Sequence, residues 1–208
     1  MYIQLNIINL IKLANAVEIK FCFILILSLF QFDGISQRLN PTKELTQYTS
    51  DKWGSDNGLV SGGTLDVMQS EEGYIWLGTF NGVYRFDGIT FKHFSKDSYP
   101  EITNNSIQAL TMDANGNIWA GSIGGGIYIY KDQSFQKFTE EDGLSSNLIR
   151  KLYTDSKGRI LIGTGDGFTI YSDSTFFTFK DFKQGSNTIN NVSISALYED
   201  SKRQIWVG

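Results

Sequence analysis

Apolar residues along this chain come in short runs of four to six, each bounded by Gly, Asp, Asn or Ser, and one run keeps returning. Ile75-Trp76-Leu77-Gly78-Thr79 reappears as Ile118-Trp119-Ala120-Gly121-Ser122, as Ile160-Leu161-Ile162-Gly163-Thr164 and as Ile205-Trp206-Val207-Gly208. The four glycines are spaced 43, 42 and 45 residues apart. Runs of this length between turn residues predict strands. The phrase is apolar throughout instead of alternating, which predicts a strand covered on both faces.

The flanking segments repeat in register with it. In the first unit Thr64–Met68 leads through Ser70–Gly73 into the phrase, followed by Asn81-Gly82, Val83–Phe86, Asp87-Gly88 and Thr90–Phe94. The second unit runs over 107–138, the third over 149–179, and the fourth opens at 194 and reaches Gly208. Four strands joined by three hairpin turns, repeated every 40 to 50 residues, predict an all-β fold of β-propeller blades. About three and a half blades are expected here, as an incomplete open arc. The repeat residues Trp76, Gly78, Trp119, Gly121, Gly163, Trp206 and Gly208 are assigned to the inner, twice-covered strand, each glycine leaving room for the neighbouring blade.

The first strands are the least regular. Ile107 and Leu110, Ile149 and Leu152, and Ile194 and Leu197 each lie three apart, a spacing that suits a helix as well as a strand. The segments are too short to stand as helices and run straight into hairpin turns, which favours strands. The turn residues Gly73, Gly116, Gly158 and Arg203 each precede their phrase glycine by five. Arg203 stands where the others have glycine, so its turn must change type or bear strain.

The N-terminus differs from the rest. Lys12 and Lys20 precede the apolar run Phe21–Phe30, and Gly34-Ile35-Ser36 follows it. This predicts a secretory signal peptide over 1–36, with an uncleaved signal anchor as the alternative, and hence export to the periplasm. Residues 37–63 form a polar lead-in whose Leu45-x-x-Tyr48 mirrors the outer strands Phe91-x-x-Phe94 and Phe135-x-x-Phe138, as a ring-closing strand would.

Composition adds exclusions. A net charge of −4 carries no basic footprint for nucleic acid. The single cysteine, Cys22, rules out an intrachain disulfide. With 21 Gly, 2 Pro, 4 Trp, 10 Tyr and 15 Phe, the chain has the makings of short strands and tight turns.

The pattern Ile107-x-x-Leu110-x-x-Asp113-x-x-Gly116-x-Ile118-Trp119-x-Gly121, then Gly125-Gly126-Ile127-Tyr128-x-Tyr130 and Phe135-x-x-Phe138, resembles the two-component regulator propeller repeat. The resemblance covers about Leu45 to Gly208 and departs from the family at Leu161 for Trp, Arg203 for Gly and Ser70 for Asp. It implies the periplasmic sensor region of a Bacteroidetes-type hybrid histidine kinase, with two seven-bladed propellers, an immunoglobulin-like domain, a membrane span and cytoplasmic signalling domains in the full-length parent. On that basis the chain is expected to be an N-terminal fragment whose partners are the remaining blades and the downstream domains, with an oligosaccharide as ligand. Membrane association is expected only through the signal segment or a downstream span.

Candidate chemistry is sparse. His93, the one histidine, falls on an outer strand and is expected to be an exposed strand residue. Asp113-x-Asn115-Gly116-Asn117 lacks the later ligands of a calcium loop and is expected to be an Asp-initiated turn. Gly124-Gly125-Gly126 precedes no helix and so is not a phosphate cradle. Neither a catalytic residue nor a metal or other cofactor site is expected. The expected ligand contacts are the rim residues Asn81, Asn104, Asn105, Asn147 and Asp166. Three function classes follow: a signalling sensor, a propeller scaffold that binds protein without signalling output, and an extracellular propeller enzyme, the last disfavoured by the lack of paired acids on the rim.

Overall fold

In a computed structural model of the chain the repeated phrase is the second strand of each sheet. The structure describes Glu44 and residues 51–61, 63–184, 187–189 and 192–208. The signal segment over 1–36 and the strand expected near 45–48 lie outside these residues. Asp51–Gly208 forms one compact unit.

Blade 1 comprises β1 (Thr64–Gln69), β2 (Ile75–Thr79), β3 (Gly82–Phe86) and β4 (Phe91–Phe94). Blade 2 comprises β5 (Ile107–Met112), β6 (Ile118–Ser122), β7 (Ile127–Lys131) and β8 (Ser134–Phe138). Blade 3 comprises β9 (Ile149–Thr154), β10 (Ile160–Thr164), β11 (Phe168–Ser172) and β12 (Thr175–Phe179). A hairpin of β13 (Phe182–Gln184) and β14 (Asn187–Ile189) follows, and then β15 (Leu197–Glu199) pairs with β16 (Ile205–Val207) to open a fourth blade. Each four-stranded sheet is antiparallel in the order 1-2-3-4, the up-and-down connection of a propeller blade.

Alternation along β6 and β10 sends neighbouring side chains into two different joints, and β2 sends Trp76 into one. Trp76 with Val83 and Phe94 faces forward into a core shared with Ile107, Leu110, Ile118 and Ala120 of blade 2. Trp119 faces forward in turn, against Ile149, Leu152, Ile160 and Ile162 of blade 3. Leu161 and Phe168 do the same against Ile194 and Leu197. In β6 and β10 both faces of the phrase strand are thus core, and the run is unbroken because both joints require apolar side chains. Fully burying one such side chain stabilises the joint by about 1.5–3 kcal/mol.

The helix-like three-residue spacing in the first strands has a structural cause. Ile107 pairs with Ser122 and Ala109 with Gly121, so Gln108 is an extra residue opposite the β6 step. The same irregularity lies between Ile149 and Lys151 in blade 3 and between Thr64 and Asp66 in blade 1. In a regular strand, residues three apart point to opposite faces; a β-bulge restores them to one face. Ile107 and Leu110 therefore both reach back toward blade 1.

The phrase glycine lies opposite the bulge, where that first strand presses closest. A Cβ on Gly78 would lie 2.9 Å from the Ile107 carbonyl oxygen, and one on Gly163 2.7 Å from that of Ile194. On Gly121 it would collide with the Ile149 side chain. Glycine is required here by the close approach of the next blade, whatever its own φ.

The β1–β2-type turns share one backbone scheme: Gly73, Gly116, Gly158 and Arg203 each donate to the carbonyl three residues before, at 2.9–3.0 Å. Arg203 keeps this scheme at φ 62°, so blade 4 bears the strain of a left-handed arginine in an unchanged turn. Asp113 caps its turn by accepting from the backbone N–H of Asn115 and of Asn117, both at 2.9 Å, and from the Trp119 indole N–H at 3.1 Å.

Candidate functional site

The β2–β3, β6–β7 and β10–β11 loops gather with the blade-to-blade connectors at one rim, because up-and-down pairing puts these segments at the same ends of the sheets. Backbone hydrogen bonds stitch loop to connector. Gly82 N donates to Asn105 O at 2.6 Å, Ile123 N to Ser106 O at 2.8 Å, Gly165 N to Leu148 O at 2.8 Å and Gly167 N to Val192 O at 2.7 Å.

The third strand supplies a second anchor. Tyr128 Oη accepts from the backbone N–H groups of Thr103 and Asn104, at 3.2 and 2.9 Å. In blade 3 Thr169, and in blade 1 Tyr84, hold the matching position: Ser145 N donates to Thr169 Oγ1 at 3.0 Å, and Tyr84 Oη donates to Val60 O at 3.0 Å. Burial pushes the Tyr84 phenol pKa up, so the hydroxyl keeps the proton it donates.

Val60 thus occupies a connector position although no described blade precedes it. The lead-in copies the connector before blade 3. A 3-10 turn at Ser55–Asn57 ends at Gly58 with φ 91°, as the one at Glu140–Asp142 ends at Gly143 with φ 112°. The corresponding sequences, Gly58-Leu59-Val60-Ser61 and Gly143-Leu144-Ser145-Ser146, carry the signal, which is legible only when the two are aligned by the turn glycine.

All five expected contact residues are half-buried on this rim. Asn81 Nδ2 donates to Val60 O at 2.9 Å. Asn104 is engaged on both amide atoms, donating to Ile123 O at 2.6 Å and accepting from Ser106 N at 2.9 Å. Asn105 Oδ1 accepts from Lys96 N at 2.8 Å. Asn147 Oδ1 accepts from Glu140 N at 2.9 Å. Asp166 pairs with Lys180 at 3.2 Å, and its Oδ1 is buried without a partner. These residues sit at successive joints along the rim. Much of their hydrogen-bonding capacity holds connectors in place.

Other expected features resolve similarly. The N–H groups of Gly124 and Gly126 both donate to Asn147 O, at 3.1 and 3.0 Å, and that of Gly125 donates to Ser122 Oγ at 2.7 Å, so none faces a ligand. His93 is half-buried, not exposed: its ring stacks on Tyr84 at 4.3 Å and Nε2 donates to Asn81 O at 2.5 Å. The outer strand ends beneath the β2–β3 loop, and this brings the imidazole to the rim. Among the described residues no three His, Cys, Asp or Glu side chains gather as a metal site would require. The rim offers amides, hydroxyls and carboxylates, chemistry suited to hydrogen-bonding a polyhydroxylated ligand.

Two stretches, 101–124 and 143–166, match the family model described as Two component regulator propeller. Each runs from a connector through the bulged first strand to the loop after the phrase glycine. These two stretches carry the two-component regulator propeller repeat. A relative described as Histidine kinase P4 from Formosa agariphila is 30% identical over 140 residues, covering 60% of this chain and 10% of that protein. A solved structure, the extracellular domain of a hybrid two-component system from B. thetaiotaomicron, superposes with a TM-score of 0.60 at 26% identity, over 69% of this chain and 20% of that one. The chain thus spans about a tenth of the curated relative's length and a fifth of that extracellular domain's. Virginiamycin B lyase from Staphylococcus aureus superposes with a TM-score of 0.51 at 13% identity, over 68% of this chain and 47% of that one, a likeness of fold alone.

Proposed function

We propose that this chain is part of the ligand-sensing propeller region of a two-component signalling protein, that it works outside the cytoplasm, and that its ligand is an oligosaccharide. The observation that carries the reading is the 26% identity over 69% of the chain to the extracellular domain of a hybrid two-component system. The signal segment over 1–36 supplies export, and the loop rim presents Asn81, Asn104, Asn105, Asn147 and Asp166 to hydroxyl-rich ligands. Because the rim amides also hold the connectors, a ligand that competes for them shifts how one blade sits on the next. A sensor uses such a change when it binds one arrangement better than another.

Two measurements test this. Labelled full-length chain on a glycan array is expected to bind a restricted set of oligosaccharides; an array without hits, from protein shown to be folded by circular dichroism, contradicts the ligand. Residues 1–36 fused to leaderless alkaline phosphatase are expected to give an active, exported enzyme. An inactive fusion retained in the cytoplasm contradicts the location.

A further inference from the structure

At the rim opposite the loops, a cleft of ≈390 Å³ opens between blades 2 and 3. Its size falls within the range of small-ligand sites. Its walls are the β5–β6, β9–β10 and β11–β12 turns with side chains of β7 and β8, so it lies between two complete blades.

Comparison with the preceding joint explains the opening. Cross-strand register places Arg85 beside Trp76 in blade 1 and Ile129 beside Trp119 in blade 2. The next strand adds Lys92 in blade 1 and Gln136 in blade 2. Between blades 1 and 2 the Arg85 guanidinium lies 4.3 Å from the Tyr74 ring and 5.8 Å from the Trp76 ring, and Lys92 Nζ lies 5.1 Å from the Phe94 ring. Between blades 2 and 3 the shorter Ile129 and Gln136 leave that space empty, and both line the cleft.

The lining divides by chemistry. Ile129, Phe138 and Tyr171 form an apolar floor, with Trp119 packed 4.8 Å from the Tyr171 ring beneath it. Asn115, Gln136, Lys131 and Lys157 stand around the mouth. The carboxylates nearby are already engaged. Asp113 Oδ2 accepts from Asn117 Nδ2 at 2.8 Å as well as from Trp119, and Asp155 is paired with Arg159 at 2.6 Å. Asp173 Oδ2 accepts from Ser172 Oγ at 3.0 Å. Among the described residues neither Lys131 nor Lys157 makes an ion pair. An apolar floor suits the C–H face of a sugar ring and amides suit its hydroxyls, while Lys131, Lys157 and Arg159 against the Asp113 and Asp173 carboxylates leave the lining with a formal excess of one positive charge that favours an anionic substituent.

We propose that the cleft between blades 2 and 3 binds a saccharide ring bearing a carboxylate or sulfate, with Ile129, Phe138 and Tyr171 under the ring and Lys131 and Lys157 at the charged group. This rests on the reading of the chain as an oligosaccharide sensor and adds a second contact at the opposite rim.

The test is isothermal titration of the full chain with trigalacturonate, a sulfated galactan tetrasaccharide and neutral galactotriose. One acidic probe is expected to bind at least tenfold more tightly than galactotriose, with an affinity that falls as salt rises. Ile129→Arg, which fills the cleft as Arg85 fills the preceding joint, is expected to abolish binding. The double variant Lys131→Gln, Lys157→Gln, altered only at exposed positions, is expected to weaken the acidic probe tenfold or more and leave galactotriose unchanged. If the acidic probe keeps its affinity within twofold in both variants, the cleft is not the site, and the sensor reading stands with its contact elsewhere. If galactotriose binds as tightly as the acidic probes, the charge assignment is overturned. If the folded wild-type chain binds none of the probes, this proposal falls, while the glycan array decides the sensor reading separately.

Discussion

The tryptophan of the repeated phrase brings a polar N–H to the joint, and the blades do not all meet it in the same way. In blades 2 and 4 the turn aspartate accepts it, Asp113 from Trp119 at 3.1 Å and Asp200 from Trp206 at 3.0 Å. Blade 3 has Leu161 instead, and Asp155 turns to Arg159. In blade 1 Ser70 replaces the aspartate and Trp76 Nε1 is buried without a partner. The turn around Ser70 keeps the same backbone bonds, so a carboxylate placed there would meet the orphaned donor. Ser70→Asp is therefore expected to stabilise the chain by about 1 kcal/mol in urea unfolding; a loss of stability contradicts this account of the pair. Burial alone would push the Asp113 carboxyl pKa up, but the donors from Asn117, Trp119 and the backbone outweigh it and hold it below the ordinary value. A carboxylate depressed on folding contributes stability that is full above its unfolded pKa of about 4 and is lost as pH falls through the folded value. Asp113→Asn is expected to lower Tm at pH 7, with the gap to wild type closing below about pH 4; a gap independent of pH would assign the effect to packing.

At the scale of the strand, the glycine and the bulge act together. Only the missing side chain of Gly121 lets the bulged strand of blade 3 bring Ile149 against β6. Gly121→Leu is expected to cost about 1–3 kcal/mol or more by overpacking the joint, and an unchanged thermal melt would contradict it. Much of this level was legible in the sequence, because the repeat sets turn glycines and apolar runs in register. The bulge was not: an extra residue in one strand shows only as a spacing of three, which a short helix shares. Neither was the β13–β14 hairpin, which falls in a link without a repeated counterpart. The connector copy at Gly58–Ser61 was missed because four residues are too few to show a period and match Gly143–Ser146 only once the turn glycines are aligned.

At the scale of the whole molecule, every internal joint buries equivalent positions that, among the described residues, the two end faces leave open. Val67 is 59% exposed where Leu110 and Leu152 are 5% and 2%, and Trp206 is 61% exposed where Trp119 is 1%. In this chain the backward face of blade 1 and the forward face of blade 4 are the two complementary halves of a joint. The chain is expected to self-associate with concentration, and Trp206→Gln with Tyr198→Gln to suppress it; a monodisperse wild-type monomer in light scattering contradicts this. The candidate site was less legible than the fold. Polar rim loops are common to propellers, and the cleft arises from Ile129 standing where Arg85 stands one blade earlier, a difference whose effect appears only across a joint. The most direct test of the account is the melting temperature of the full chain titrated with the oligosaccharides selected on the array. A ligand that binds the folded propeller is predicted to raise Tm progressively, by the equivalent of about 2.7 kcal/mol at one hundred times its dissociation constant. A Tm unmoved by every selected oligosaccharide would contradict the claim that this propeller senses them.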